Sequence, residues 1–159
     1  MKKIFLLAIL FIGFGQAQAQ DENIHVSGKL GFPTGTFGDA FSLHLGVEGT
    51  YYFLDDVADG LKIGGTAGYN LYTASEDFFA DFDYISLAAS GRYDITEEFF
   101  ARLDMGFGIA LVDGANGGFL FEPRFGYDLG KLDVFGYYKR ISESFFAITS
   151  VGVGVTYKF

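Results

Sequence analysis

Along most of this chain the apolar residues fall on every second position, and the carboxy-terminal segment shows the pattern most cleanly. From Thr149 to Phe159, the residues Thr149, Val151, Val153, Val155, Tyr157 and Phe159 alternate with Ser150, Gly152, Gly154, Thr156 and Lys158. A period of two means that successive side chains leave opposite faces of a strand. One face here is apolar and ends in an aromatic; the other offers glycine, hydroxyl and ammonium groups. That division fits a wall with hydrocarbon on one side and a polar lumen on the other.

Seven earlier segments repeat the pattern, so eight strands are predicted. Asn23–Phe32 sets Ile24, Val26, Leu30 and Phe32 against His25, Ser27, Lys29 and Gly31. Phe41–Phe53 sets Leu43, Leu45, Val47, Tyr51 and Phe53 against Ser42, His44, Gly46, Glu48, Thr50 and Tyr52. Leu61–Tyr72 places Lys62, Gly64, Thr66, Gly68 and Asn70 on its polar face, and Phe82–Tyr93 places Tyr84, Ser86, Ala88, Ser90 and Arg92 there. Phe99–Leu111 contributes Arg102, Asp104, Gly106, Gly108 and Ala110, and Gly118–Tyr127 contributes Glu122, Arg124 and Gly126. In Leu132–Arg140 the two faces compete: Leu132, Val134 and Tyr138 on one, Phe135 and Tyr137 on the other.

The segments between strands alternate as an up-and-down meander requires. Asp55–Gly60, Asp94–Glu98 and Asp128–Lys131 fall at the end shared with both termini; Pro33–Ala40, Thr73–Asp81, Val112–Gly117 and Ile141–Phe145 fall at the other. Asp59-Gly60 and Asp113-Gly114 are tight-turn pairs, because glycine accepts the positive φ of such turns. The expected fold is all-β: one eight-stranded antiparallel up-and-down transmembrane β-barrel.

The amino terminus sets the expected compartment. Lys2 and Lys3 precede an apolar run from Ile4 to Phe14, followed by Ala17-Gln18-Ala19, the layout of a cleavable export signal. Residues 1–19 are therefore expected to be removed, and residues 20–159 to form the barrel domain. The run is short of the roughly 20 residues a spanning helix needs. With no cysteine in the chain, neither a lipid-anchored cysteine nor a disulfide is possible.

Composition then separates a membrane wall from a soluble core. Half of the residues are hydrophobic and 23 are glycines. In a water-soluble sandwich the many glycines of the polar face would lie on solvated strand interiors, at roughly 0.5–1 kcal/mol each relative to alanine. In a narrow closed barrel they lie inside, where small residues must alternate with large ones. The inward charges Glu48, Asp104 and Glu122, opposed to Lys29, Lys62, Arg92, Arg102 and Arg124, are expected to form a salt-bridged lumen plug. Tyr51, Phe53, Tyr69, Tyr93, Phe99, Tyr127 and Tyr157 lie near strand ends, where interfacial aromatics belong. Losing Lys2 and Lys3 with the leader takes the formal charge from −9 to −11. With no Lys/Arg cluster either, this acidity argues against a nucleic-acid partner.

Together the leader, the eight alternating segments and the ending Val151-Gly-Val-Gly-Val-Thr-Tyr-Lys-Phe159 resemble the small outer-membrane β-barrel proteins of the OmpA/OmpX type. The resemblance covers the mature chain as pattern; its specific part is the last strand. It implies that Val151, Val153, Val155, Tyr157 and Phe159 are an assembly signal read by the barrel-assembly machinery, that both termini are periplasmic, and that outer-membrane lipid and lipopolysaccharide surround the wall. Against that family, no peptidoglycan-binding domain is expected after the barrel, and the outer loops are short for one of its adhesins.

Chemistry-bearing candidates are few. Ser42 and His44 share a strand face with Glu48 further along it, the residue types of a hydrolytic triad. Glu48 stands about 13 Å from His44 at strand rise, however, too far for a direct bond. His25 has no second ligand at metal spacing. Glu76, Asp77, Asp81 and Asp83 could gather Ca²⁺ or Mg²⁺ but lack EF-hand order, and Phe78, Phe79 and Phe82 of the same segment could meet the membrane interface or a partner. The expectation is a non-enzymatic structural or protective envelope protein without a cofactor. A narrow, porin-like passage and surface recognition through residues 73–81 are the alternatives.

Overall fold

The computed structural model describes residues 23–75, 81–112, 117–142 and 147–159, apart from the side chains at 36, 37, 39 and 56. The expected leader, the Asp113-Gly114 turn and residues Glu76 to Phe79 lie outside them. Eight strands follow in chain order: β1 (Ile24–Thr34), β2 (Phe41–Ala58), β3 (Leu61–Ala74), β4 (Phe82–Asp94), β5 (Phe99–Ala110), β6 (Gly118–Asp128), β7 (Leu132–Ser142) and β8 (Ala147–Lys158). Each pairs antiparallel with its sequence neighbour, and β1 pairs with β8 through Lys29↔Gly154 and Leu30↔Val153, closing the barrel. Closure leaves no strand edge unpaired, which is what a strand wall in hydrocarbon requires.

The two faces have the opposite composition from a soluble protein. Phe107 is 63% exposed and Val153 60%, on the outer wall. Lys139 and Lys29, inside, are 0% and 5% exposed. Six strands face as their alternation predicts, and β2 does so from Leu43 to Tyr52; a register shift between Phe41 and Leu43 leaves Ser42 exposed beside Thr73 instead of on the lumen face with His44. The eighth, β7, turns Asp133, Phe135, Tyr137, Lys139 and Ile141 inward and leaves Leu132, Val134, Tyr138 and Arg140 outside.

Some boundaries differ from the sequence expectation. β2 runs on to Ala58 rather than ending at Phe53, because register shifts after Tyr52 and Leu54 let it keep pairing with β3. The expected Asp55–Gly60 connection thus shrinks to the Asp59-Gly60 turn, with Gly60 at φ 77°. Within Pro33–Ala40, Pro33 and Thr34 extend β1, and Gly35–Ala40 forms a 3-10 turn.

Several inward glycines lie where side chains of other strands pass. A Cβ on Gly126 would lie 2.5 Å from Phe100 Cζ, and one on Gly46 3.0 Å from Asn70 Oδ1 and 3.1 Å from Lys29 Cε. On the outer wall, a Cβ on Gly28 or Gly91 would meet nothing within 4 Å. Within the strands the contrast follows the two faces, as a narrow lumen demands.

Candidate functional site: the ion-paired lumen

The lumen is filled in layers. Nearest the end away from the termini, Tyr72, Tyr84, Leu120, Ile141 and Ile148 form a buried apolar cluster, with Phe41 and Phe82 packed against it. Beneath it His44 stacks on Tyr72 with ring centroids 4.5 Å apart. The imidazole is held on both sides, Nδ1 by Tyr137 Oη (2.7 Å) and Ser150 Oγ (3.2 Å), Nε2 by Asn70 Oδ1 (3.1 Å).

The central layer carries the charge. Lys29 on β1 donates to Glu48 Oε2 on β2 (2.6 Å) and to Glu122 Oε1 on β6 (2.9 Å). Lys139 on β7 reaches Glu122 Oε2 (2.9 Å) and Asn70 Oδ1 (2.7 Å). Arg124 pairs with Asp104 (2.6 Å), with Glu122 (2.9 Å) and with Glu48. Arg102 donates to Asp104 Oδ1 (2.9 Å) and to the hydroxyls of Thr50 (2.8 Å) and Thr66 (2.7 Å). Burying charge is costly unless every lone pair and proton finds a partner, and here each carboxylate meets two or more cations.

A second buried apolar cluster joins Phe100 and Phe135 to Tyr137, with the Arg124 guanidinium 5.0 Å from the Phe135 ring centre. The mouth near the termini is closed by a second ion cluster. Arg92 spreads its guanidinium over Asp94 (2.7 Å), Asp128 (2.9 Å) and Asp133, and over the Phe100 ring at 3.9 Å. Lys158 pairs with Asp128 and with Asp133 (3.0 Å).

Of the expected plug residues, Glu48, Arg102, Asp104, Glu122 and Arg124 come together in the central layer. Arg92 belongs to the separate mouth cluster. Lys62 joins neither: it lies two residues beyond the Asp59-Gly60 turn, half-buried opposite Arg92 in register, and no ion pair reaches it among the described residues. Lys139 and Asp133 are additions, concealed by the two-faced pattern of β7. Once Phe135 and Tyr137 are inward, parity brings both with them.

Glu48, Asp104 and Glu122 bring carboxylate oxygens within 4.8 Å of one another, a donor set that could gather a metal ion. Lys29, Arg102, Arg124 and Lys139 already neutralise those oxygens. The triad candidates part company: Ser42 is exposed and its hydroxyl meets Thr73 Oγ1 (3.0 Å), whereas His44 is wholly enclosed. In the acidic segment, Asp81 Oδ1 accepts the Ala74 N–H (3.1 Å) and Asp83 Oδ2 accepts the Tyr69 hydroxyl (2.8 Å).

In the last strand Val151, Val153, Val155 and Tyr157 form an outward row. Phe159 follows, its N–H donating to Ile24 C=O (3.1 Å) and its ring set edge-on to Tyr157 at 4.9 Å.

No protein-family model matches the chain, and no curated protein matches it. Solved structures do. The outer-membrane enzyme PagL is 15% identical with a TM-score of 0.62, covering 85% of this chain and 99% of its own. A de novo designed transmembrane β-barrel is 15% identical with a TM-score of 0.59, covering 89% of this chain and 98% of the design. Ail, the attachment invasion locus protein of Yersinia pestis, is 14% identical with a TM-score of 0.55, covering 86% and 96%. These barrels share an architecture while differing in task, an enzyme, a designed scaffold and an attachment protein among them. The likeness therefore establishes the fold: this chain is a small eight-stranded transmembrane-type β-barrel.

Proposed function

We propose that this protein is a non-enzymatic integral outer-membrane β-barrel that serves the cell envelope as a structural or protective element, with its lumen sealed. It sits with both termini in the periplasm and its wall in contact with outer-membrane lipid and lipopolysaccharide, and the barrel-assembly machinery inserts it through the Val151–Phe159 strand. The observation that carries this reading is the lumen: charged side chains buried to 5% exposure or less and paired to one another, between an apolar cluster on one side and the Arg92 cluster on the other. A passage needs hydrated, mobile charge along its axis; these charges are locked by carboxylate–cation contacts from five strands. The separation of Ser42 from His44 favours a non-enzymatic role over lipid hydrolysis.

Reconstitution into liposomes tests the sealed lumen. Vesicles containing the folded protein are expected to hold small sugars and ions as well as empty vesicles do, and solute-sized conductance would overturn the reading. Lipid acyl chains unchanged on expression of the wild type or of Ser42→Ala exclude the hydrolytic alternative. A deletion strain challenged with detergent or bile reports the protective role.

A further inference from the structure

The β6–β7 seam has a defect in the middle of the wall. Pairing runs Phe119↔Ser142, Leu120↔Ile141, Phe121↔Arg140, then resumes only at Arg124↔Tyr137. Pro123 sits in the gap; it has no N–H to give the ladder, and in a closed barrel no edge is available to hide it. Two residues along the seam, opposite Phe125, stands Gly136, whose absent side chain leaves its nearest neighbour, Gly152 C=O, 3.9 Å from where a Cβ would be. Together these make an open groove of about 540 Å³ on the outer wall, bounded by Pro123, Phe125, Gly136 and Tyr138.

Directly above it, toward the end away from the termini, is Arg140. It faces outward and exposed, between Phe121 on β6 and Thr149 on β8. Among the described residues its guanidinium meets no carboxylate, and Nε donates to Ser142 Oγ at 2.9 Å. Every other Lys or Arg beyond residue 22 points into the lumen or stands at the terminal end. Arg140 also begins a polar row on the wall, continued by Thr149 and Thr34, whose hydroxyls are 3.0 Å apart. One step toward the middle the same three strands present Tyr138, Val151 and Phe32. The row is thus the border of the apolar belt, the depth at which lipid headgroups begin.

We propose that this seam is a lipid site: the phosphate of an anionic, phosphate-bearing lipid pairs with Arg140, and one of its acyl chains lies in the groove between Pro123 and Gly136. The single outward cation of that end stands about 7 Å, two residues of strand, from the level of Tyr138, so headgroup and chain are served in the order in which a lipid presents them. A guanidinium suits phosphate through its planar fork of donors. The inference rests on the membrane reading above and adds a defined occupant to one seam of the wall.

Native mass spectrometry on the detergent-released, folded protein tests it, with phosphatidylglycerol as the anionic probe, phosphatidylcholine of the same chain length as the zwitterionic one, and inorganic phosphate as the headgroup alone. The expected result is one retained phosphatidylglycerol, with neither phosphatidylcholine nor free phosphate retained at equal concentration. Arg140→Gln is expected to lower that retention about tenfold, the worth of one charge-assisted contact. Gly136→Leu, filling the groove, is expected to lower it by roughly fourfold for each methylene kept out. Equal retention of both lipids, retention of phosphate alone, or full retention in Arg140→Gln would each overturn the site. Heat-modifiable gel migration on the same samples separates this from failure of the membrane reading: a protein that never shows a folded, detergent-requiring form sinks the latter, whereas a folded barrel indifferent to headgroup sinks only the lipid site.

Discussion

Lys29 and Glu122 lie 93 residues apart in sequence and meet across the lumen, Nζ to Oε1 at 2.9 Å, joining β1 to β6. Glu122 also takes Arg124 at 2.9 Å and Lys139 at 2.9 Å, so one carboxylate holds three cations from three strands. Glu122→Gln preserves its shape and leaves those cations underpaired in a buried setting. The expected cost is about 3–5 kcal/mol of unfolding free energy, measured by urea titration of the protein folded into lipid vesicles. A loss below about 1 kcal/mol, the range of solvated pairs, would mean that the lumen is wet.

Arg92 shows why guanidinium chemistry matters at the mouth. Its three nitrogens address Asp94, Asp128 and Asp133, which belong to β4, β6 and β7. Lysine carries the same charge but cannot span three carboxylates with a planar fork. Arg92→Lys should therefore lose about 1.5–3 kcal/mol, the worth of a charge-assisted contact. Restored stability in the lysine variant would reduce the cluster to a matter of net charge.

The glycines give a paired comparison. A methyl group on Gly106 would run into the Leu87 carbonyl and the Ala88 Cα (2.5 Å), both backbone. Gly106→Ala should cost about 1–3 kcal/mol, the usual range for overpacking, and lower the yield of the heat-modifiable form. Gly28→Ala, on the open outer face, should be neutral or gain about 0.5–1 kcal/mol. Equal behaviour of the two variants would contradict a lumen packed as described here.

Removing Phe159 separates assembly from stability. Its contacts in the folded barrel are one backbone hydrogen bond to Ile24 and an edge-on ring contact with Tyr157. A chain ending at Lys158 is expected to refold in vitro with at most about 1–2 kcal/mol lost. In cells its inserted fraction should fall several-fold more than that loss explains, measured as heat-modifiable protein in the membrane fraction. Normal insertion would remove Phe159 from the assembly signal.

How much of this was legible beforehand depended on contrast between strand faces. β8 alternates valine with glycine and hydroxyl residues, and its facing follows from side-chain parity alone. β7 offers aromatics to both faces, and parity cannot choose between them. The choice is made by neighbours distant in sequence: the Tyr137 hydroxyl occupies the space a side chain would need on Gly31 of β1 or Gly152 of β8, and the Phe135 ring occupies that of Gly154. No local pattern in β7 records those vacancies. Lys139 and Asp133 are hidden in the sequence for the same reason, and the break at Pro123 exists only in the β6–β7 register.

Alternation by itself marked out eight strands and showed which face of each high-contrast strand is oily and which carries charge, because each follows from the period-two geometry of an extended chain. Only the folded barrel decided which charges meet. Partners such as Lys29 and Glu122 are set by register and closure, summed around the whole ring, and their attraction acts through space over distances that no spacing along the chain encodes.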